Sequence, residues 1–408
     1  MMDSLTRYSV APLFCLLLSA CGGGGGSTSD PNQEPGAVVS SAPALSAQAA
    51  LGEKIFNDVS LSASGQLSCA SCHDPAYAHA GSDGRAVPLG GVGMNVEGFR
   101  NAPSLNYASF TPAFFFDTDG TPTGGFNRDG RANTLAEQAH RPFLAEHEMA
   151  NITAANVVAK LRNAAYVDEF MQVYGSDIFD RGDEAFERAT LAVQAYEEED
   201  PGFRPFDSKF DYFLAGQVQL TDQELRGYAL FNSPTKGNCA ACHPSGRLAD
   251  GTPPLFTDFT YDTLGVPRNY DIPATADPNY YDLGLCGPDR TDLVATHPEL
   301  CGAFKVPTLR NIAVTAPYFH NGEFATLREA IEFYVQRDTN PEKWYPNGGA
   351  DKFDDLPPQY RANVNTTEVP YNRKLGDQPA LTEDEIDDVV AFLNTLTDGY
   401  QPPADSGD

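Results

Sequence analysis

The sequence predicts a mostly α-helical protein made of two halves of similar plan, and three observations carry that expectation. One five-residue motif occurs twice, as Cys69-Ala-Ser-Cys72-His73 and Cys239-Ala-Ala-Cys242-His243. A similar lead-in precedes each copy, Ala50-Leu-Gly-Glu-Lys-Ile-Phe56 before the first and Leu225-Arg-Gly-Tyr-Ala-Leu-Phe231 before the second. Further helical patterns cover residues 156–174, 184–198, 326–337 and 382–396. Thr221 reads as an N-cap with Glu224 at the capping-box position, and Thr382 as a cap with an acidic first turn. The chain has 408 residues, enough for about two domains. Its 36 Gly and 31 Pro place long, shaped loops between short helices.

Before the first half, Arg7 precedes the apolar run from Val10 to Leu18, which reads as an export signal over residues 1–20. The run is too short to span a bilayer as a mature helix. Leu18-Ser-Ala-Cys21 resembles a bacterial lipobox, which would lipidate Cys21 and anchor the chain; ordinary cleavage near Ala20 is the alternative. Either route puts the mature protein outside the cytoplasm, in the periplasm. Gly22 to Gly26 and the polar stretch behind them predict a flexible linker over 21–44. The two folded halves are expected at 45–215 and 216–400, with a tail at 401–408. The formal net charge of -29 argues against nucleic acid as a partner, because phosphate binding draws on Lys and Arg.

Cys-x-x-Cys-His is the attachment motif for c-type haem. The two thiols bond to the haem vinyl groups and the adjacent His reaches the iron. A thioredoxin-like pair or a zinc site would also use Cys-x-x-Cys, but neither explains a His directly after the second Cys, twice, in one exported chain. The expected fold is therefore two cytochrome c-like domains, each with one covalent haem c, held by Cys69, Cys72 and His73 and by Cys239, Cys242 and His243. Cys286 and Cys301 flank a Gly- and Pro-rich loop and suit a disulfide; free thiols or a metal site remain open.

With Arg100-Asn-Ala-Pro-Ser-Leu105, Asp129-Gly-Arg-Ala, Leu135-Ala-Glu-Gln138, Val306-Pro-Thr-Leu-Arg-Asn-Ile312 and Ala316-Pro-Tyr-Phe-His-Asn-Gly322, the chain resembles the MauG and bacterial di-haem cytochrome c peroxidase superfamily over about residues 45–400. The resemblance implies a distal pocket at the first haem formed by Gln138, Pro142 and Glu148. Splitting a peroxide O–O bond needs a proton carrier and a group to orient the oxygens, roles suited to Glu148 and Gln138. His140 and His147 are alternative acid/base candidates. The family position for a blocking His falls on Gly93, so the first haem is expected to be open; His79 or Met94 could still ligate it. For the second haem the resemblance places the sixth ligand at Tyr334, where peroxidases carry Met and MauG carries Tyr. It also implies one calcium ion held by Asn101, Thr315 and Pro317, oxygen donors suited to a hard cation.

One position departs from the pattern. The family places a Trp between the haems where this chain has Arg128, so charge sharing would need another route, through Phe126, the Phe114 to Phe116 cluster or close haem edges. Trp344 reads as a surface relay or a packed aromatic. The resemblance implies an enzyme that uses hydrogen peroxide to form a high-valent di-haem state and oxidises a residue of a protein substrate. Residues 337–346 and 395–400 look most like the MbnH type, which implies a Trp of a copper-binding partner. The alternatives are a cytochrome c peroxidase fed by a small redox protein and a non-catalytic di-haem electron-transfer protein.

Overall fold

The computed structural model describes residues 44–403. The expected signal peptide, the lipobox at Cys21, almost all of the 21–44 linker and the end of the tail lie outside the described residues. No helix among the described residues is long and apolar enough to cross a membrane.

In the first half, α1 (Ala47–Asn57) starts where Ser46 accepts a hydrogen bond from the Ala49 amide and buries Leu51, Ile55 and Phe56 on one face. The first motif forms the short α2 (Cys69–Cys72). Two antiparallel hairpins interrupt the following loops, β1 (Leu89–Gly90) with β2 (Val96–Glu97) and β3 (Phe115–Phe116) with β4 (Pro122–Thr123). Then come α3 (Leu135–Leu144), α4 (Ala154–Leu161), α5 (Val167–Tyr174) and α6 (Gly182–Glu199). α7 (Lys209–Leu214), placed by the sequence at the end of the first half, packs into the second cluster, and the second half continues through α8 (Asp222–Asn232), the hairpin β5 (Tyr261–Asp262) with β6 (Phe304–Lys305), α9 (Leu327–Gln336) and α10 (Glu383–Asn394). The second motif sits in a single 3-10 turn, Cys239–Ala241. The expected disulfide is present between Cys286 and Cys301.

The capped starts at Thr221 and Thr382 occur as expected, each a full capping box. The stretch 156–174 is two helices rather than one. The Asn163 side chain bonds back to the Ala159 carbonyl, competing with the backbone ladder. Tyr166 is drawn into the core, where its hydroxyl donates to Asp58 at 2.7 Å. Tertiary burial here overrides the helical period.

Two separate apolar clusters fill the halves. One runs from Leu51 to Phe203 and the other from Phe210 to Leu396. Each depends on a glycine at the same place in the repeated lead-in. A Cβ on Gly52 would sit 1.9 Å from the Ala192 carbonyl oxygen of α6, and one on Gly227 would sit 1.9 Å from that of Asp388 in α10. Both helix pairs therefore cross with backbones in contact, which only a hydrogen side chain allows.

The duplication extends beyond what the lead-ins display. Pro103-Ser-Leu-Asn-Tyr107 and Pro307-Thr-Leu-Arg-Asn311 each end in a residue of left-handed backbone, Tyr107 (φ 64°) and Asn311 (φ 62°), and enter a 3-10 turn. Thr134-Leu-Ala-Glu137 and Thr326-Leu-Arg-Glu329 start α3 and α9, each with the Thr hydroxyl accepting from the Glu amide. The halves also exchange equivalent backbone bonds: the Asn101 amide donates to the His320 carbonyl at 2.8 Å, and the Lys305 amide to the Arg128 carbonyl at 2.9 Å. Buried Arg310 adds a tie, gripping Asp211 with both terminal nitrogens and stacking over Tyr107.

Gly227→Ala should destabilise the protein by about 1–3 kcal/mol, because the added methyl overlaps backbone rather than a movable side chain. Denaturant unfolding checks this, with Gly182→Ala as control, since a Cβ there meets nothing within 4 Å.

Candidate active site

Each repeated motif presents a buried imidazole oriented by the backbone. His73 Nδ1 lies 3.0 Å from the His79 carbonyl and His243 Nδ1 lies 2.8 Å from that of Phe256. Both carbonyls belong to non-glycine residues at φ 53°. The bond places the proton on Nδ1 and leaves Nε2 as the free donor, the arrangement a metal-bound imidazole requires. Burial lowers both imidazole pKa values, which keeps the rings neutral. Burial pushes the thiols of Cys69, Cys239 and Cys242 up to about 12 and that of Cys72 to about 11.

A cavity of 340 Å³ opens from the second motif. Cys239, Cys242 and His243 line it together with Tyr334 of α9, and apolar side chains such as Phe231, Ile331 and Leu393 form its walls. Two thiols, an imidazole and a phenol around an apolar slot fit a covalently held haem, which Cys239, Cys242, His243 and Tyr334 would hold. Burial raises the Tyr334 pKa, followed by the fields of Cys242 and Asp262, while Arg337 opposes the shift. Two residues at this site escaped the sequence reading. Tyr371 lines the cavity with its ring 6.0 Å from that of Tyr334, and Arg337 stacks over Tyr371 at 4.5 Å. Tyr371 stands in no motif, Arg337 opens the 337–346 stretch without a role read for it, and only the fold brings them here.

The same cavity continues to Gln138, Arg128 and Asn101. Counting from the Thr-Leu-x-Glu starts of α3 and α9, Pro142 occupies the register of Tyr334. One half thus offers a phenol where the other offers a ring without a donor atom. Proline also lacks the N–H that would bond the Gln138 carbonyl one turn back, which loosens α3 at its end. The chain then folds back: the Glu148 amide donates to Ala145 and that of Met149 to Pro142. Gly91 donates to the Glu148 carbonyl at 2.9 Å, and a Cβ on Gly90 would meet the His147 carbonyl oxygen at 2.3 Å. Glu148 is half-buried, and its charge acts on Cys72, whose thiol rises through burial first and Glu148 second. The structure thus brings Gln138 into the cavity wall and fixes Glu148 beside the first motif.

The competing candidates have other partners. His140 packs on Phe186 of α6 at 4.4 Å. His147 lies against Phe99 and 3.5 Å from Glu148. His79 stacks on Phe203 and is bonded to Asn106 at 2.7 Å, so its carbonyl rather than its ring serves the first motif. Gly93 and Met94 lie in the turn between β1 and β2. Trp344 packs against Phe324 and Phe333.

Asn101, Thr315 and Pro317, the expected calcium donors, all line the cavity. Asn101 is engaged otherwise: its Oδ1 accepts from Arg128 Nη2 at 2.8 Å and its carbonyl from Arg128 Nε at 3.0 Å. That guanidinium conflicts with a divalent cation on the same oxygen.

Two Cys-x-x-Cys-His motifs, each with a backbone-oriented imidazole, define the class of di-haem c-type oxidoreductases. Residues 46–219 match the family model described as di-haem cytochrome c peroxidase. The chain is 38% identical over 376 residues to the methylamine utilization protein MauG of Paracoccus denitrificans (strain Pd 1222), covering 88% of this chain and 91% of that protein. Other relatives are named cytochrome c peroxidases. Among solved structures, the diheme peroxidase BthA from Burkholderia thailandensis E264 matches with a TM-score of 0.80 at 40% identity, over 86% of both chains. A MauG-like protein associated with microbial copper homeostasis matches with a TM-score of 0.61 at 28% identity, over 87% of this chain and 91% of that one. The chain belongs to the di-haem cytochrome c peroxidase and MauG family. It is an oxidoreductase of that peroxidase family, which implies two c-type haems.

Two outcomes follow. Tyr334→Met should raise the potential of the second haem in a redox titration, since a thioether favours reduced iron and a phenolate oxidised iron; an unchanged potential would exclude Tyr334 as a ligand. Glu197 of α6 is buried with Oε2 unpaired, and burial raises it from 4.5 to about 8. The folded state therefore holds a proton that the unfolded state releases, and stability should fall as pH rises from 4.5 to about 8. Glu197→Gln should flatten that part of the denaturation profile.

Proposed function

We propose that the protein is a MauG-type enzyme that uses hydrogen peroxide to oxidise a residue of a partner protein by long-range electron transfer. The observation that carries this reading is Tyr334, a phenol in the cavity shared with Cys239, Cys242 and His243, in a chain whose last methionine is Met171. A site with a phenolate donor is a poor entry port for electrons from a small redox protein and a good store of oxidising equivalents. When bound, the two haems supply the redox chemistry of peroxide reduction.

The protein's own residues divide the remaining work. Glu148 would accept and return the proton of a peroxide substrate, Gln138 would orient its oxygens, and Pro142 offers no donor atom where α9 offers the Tyr334 phenol. The reading assigns these roles to the 45–215 domain and the His243/Tyr334 pair to the 216–400 domain. Because electrons travel through the protein, the substrate need only dock at the surface.

The substrate class that best suits the reading is a Trp of a copper-binding partner. The likeness to the MauG-like copper-homeostasis protein supports it. The reading also places the chain in the periplasm, lipid-anchored through Cys21. The competing reading, a cytochrome c peroxidase, is favoured by the peroxidases among the relatives. It requires the second haem to be reduced first.

Adding one equivalent of hydrogen peroxide to the fully oxidised protein, without reductant, separates the two. Optical and Mössbauer changes at both irons are expected; a response only after prior reduction would establish the peroxidase instead. Glu148→Gln should slow the peroxide step by roughly 10²-fold or more with haem content intact. Stopped-flow traces check this, and an unchanged rate would remove Glu148 from the role.

A further inference from the structure

The resemblance implies a calcium position between the halves at Asn101, Thr315 and Pro317, which all line the cavity. Their surroundings do not fit the ion. Arg128 lays the edge of its guanidinium along Asn101, with Nη2 2.8 Å from Oδ1 and Nε 3.0 Å from the carbonyl oxygen. Calcium needs six to eight oxygens at about 2.3–2.6 Å, and an ion on Oδ1 would lie against this fixed positive charge.

Nor do nearby carboxylates offset a divalent charge. Asp282 and Asp129 are taken by Arg100, at 2.6 and 2.7 Å, and Asp129 also by Arg131. Asp355 faces His320 at 3.2 Å. The Lys305 amine in the same wall is engaged by the Gly125 carbonyl. The fixed charge at the position is thus the Arg128 guanidinium.

The guanidinium is held there from both directions. The Arg128 carbonyl accepts from the Lys305 amide at 2.9 Å, and the Asn101 amide donates to His320 at 2.8 Å. Arg128 therefore joins the two equivalent backbone bonds that link the halves. The guanidinium thus performs one task of such an ion, neutralising the oxygens of Asn101, while backbone bonds link the halves.

We propose that the Arg128 guanidinium takes the place of calcium on the oxygens of Asn101, so that this chain carries that positive charge covalently and binds no calcium there. The substitution at one position both removes the family's aromatic side chain and supplies the charge.

The test is the calcium content of the purified holoprotein, measured by plasma mass spectrometry after passage through EGTA and again after calcium is restored. The haem optical spectrum is followed in parallel. Wild type should hold substoichiometric calcium throughout, with one unchanging spectrum. Arg128→Ala and Arg128→Gln should each take up one calcium ion per chain, at least about tenfold tighter than wild type in a calcium titration. Arg128→Lys should stay calcium-free. One calcium per wild-type chain, surviving EGTA or altering the spectrum on removal, would overturn the proposal. So would Ala and Gln variants with full haem content that bind no more calcium than wild type. The measurement does not depend on the oxidation reaction, so the substrate assignment can fail without affecting it.

Discussion

The architecture turns on two imidazoles whose Nδ1 atoms are bound to backbone carbonyls, His73 to His79 and His243 to Phe256. Each carbonyl points inward only because its residue adopts a left-handed backbone, which non-glycine side chains enter at a cost. The rest of each half holds that turn in place. Ser104 donates to the Ala78 carbonyl and Thr308 to that of Leu255, the residues just before the two turns. The Pro-Ser-Leu and Pro-Thr-Leu segments thus clamp the loops that orient the metal donors. Helix crossings at Gly52 and Gly227 seat the lead-in helices behind the motifs. Without these contacts a free imidazole could rotate and present either nitrogen, and the loops would lose ordering that costs roughly 1–2 kcal/mol per residue to impose.

On this duplicated frame the two halves differ by a few side chains at matching positions. α3 and α9 start alike, yet the register that carries Gln138 and Pro142 in one carries Ala330 and Tyr334 in the other. The backbone sets the place, and the side chain sets the chemistry. A donor-free ring leaves room for a small ligand, whereas a phenol can close the site. At the junction the same logic pairs Arg128 with His320, whose carbonyls accept the two exchanged amide bonds. Arg128 serves Asn101, while His320 stacks on Phe304 and faces Asp355.

The mostly helical fold, the cysteine motifs and the capped helix starts were legible because each is written in local spacing. Residues 156–174 misled because the break at Asn163 follows from burying Tyr166, which periodicity does not register. The wider duplication was also hidden. Asn-Ala-Pro-Ser-Leu and Val-Pro-Thr-Leu share few letters, and their equivalence shows in backbone torsions and in the carbonyls they clamp. The calcium donors could be counted in the chain, but Arg128 across Asn101 could not, since 27 residues separate the partners.

By itself the sequence determined which groups can bond covalently to haem and which residues can cap helices. These follow from residue identity and short spacing. Tertiary structure alone decided which nitrogen each imidazole presents, which aromatic and cationic groups surround Tyr334, and what partner Asn101 receives. Those depend on atoms brought together from distant segments, where burial and charge set by the packed neighbours outweigh any local preference.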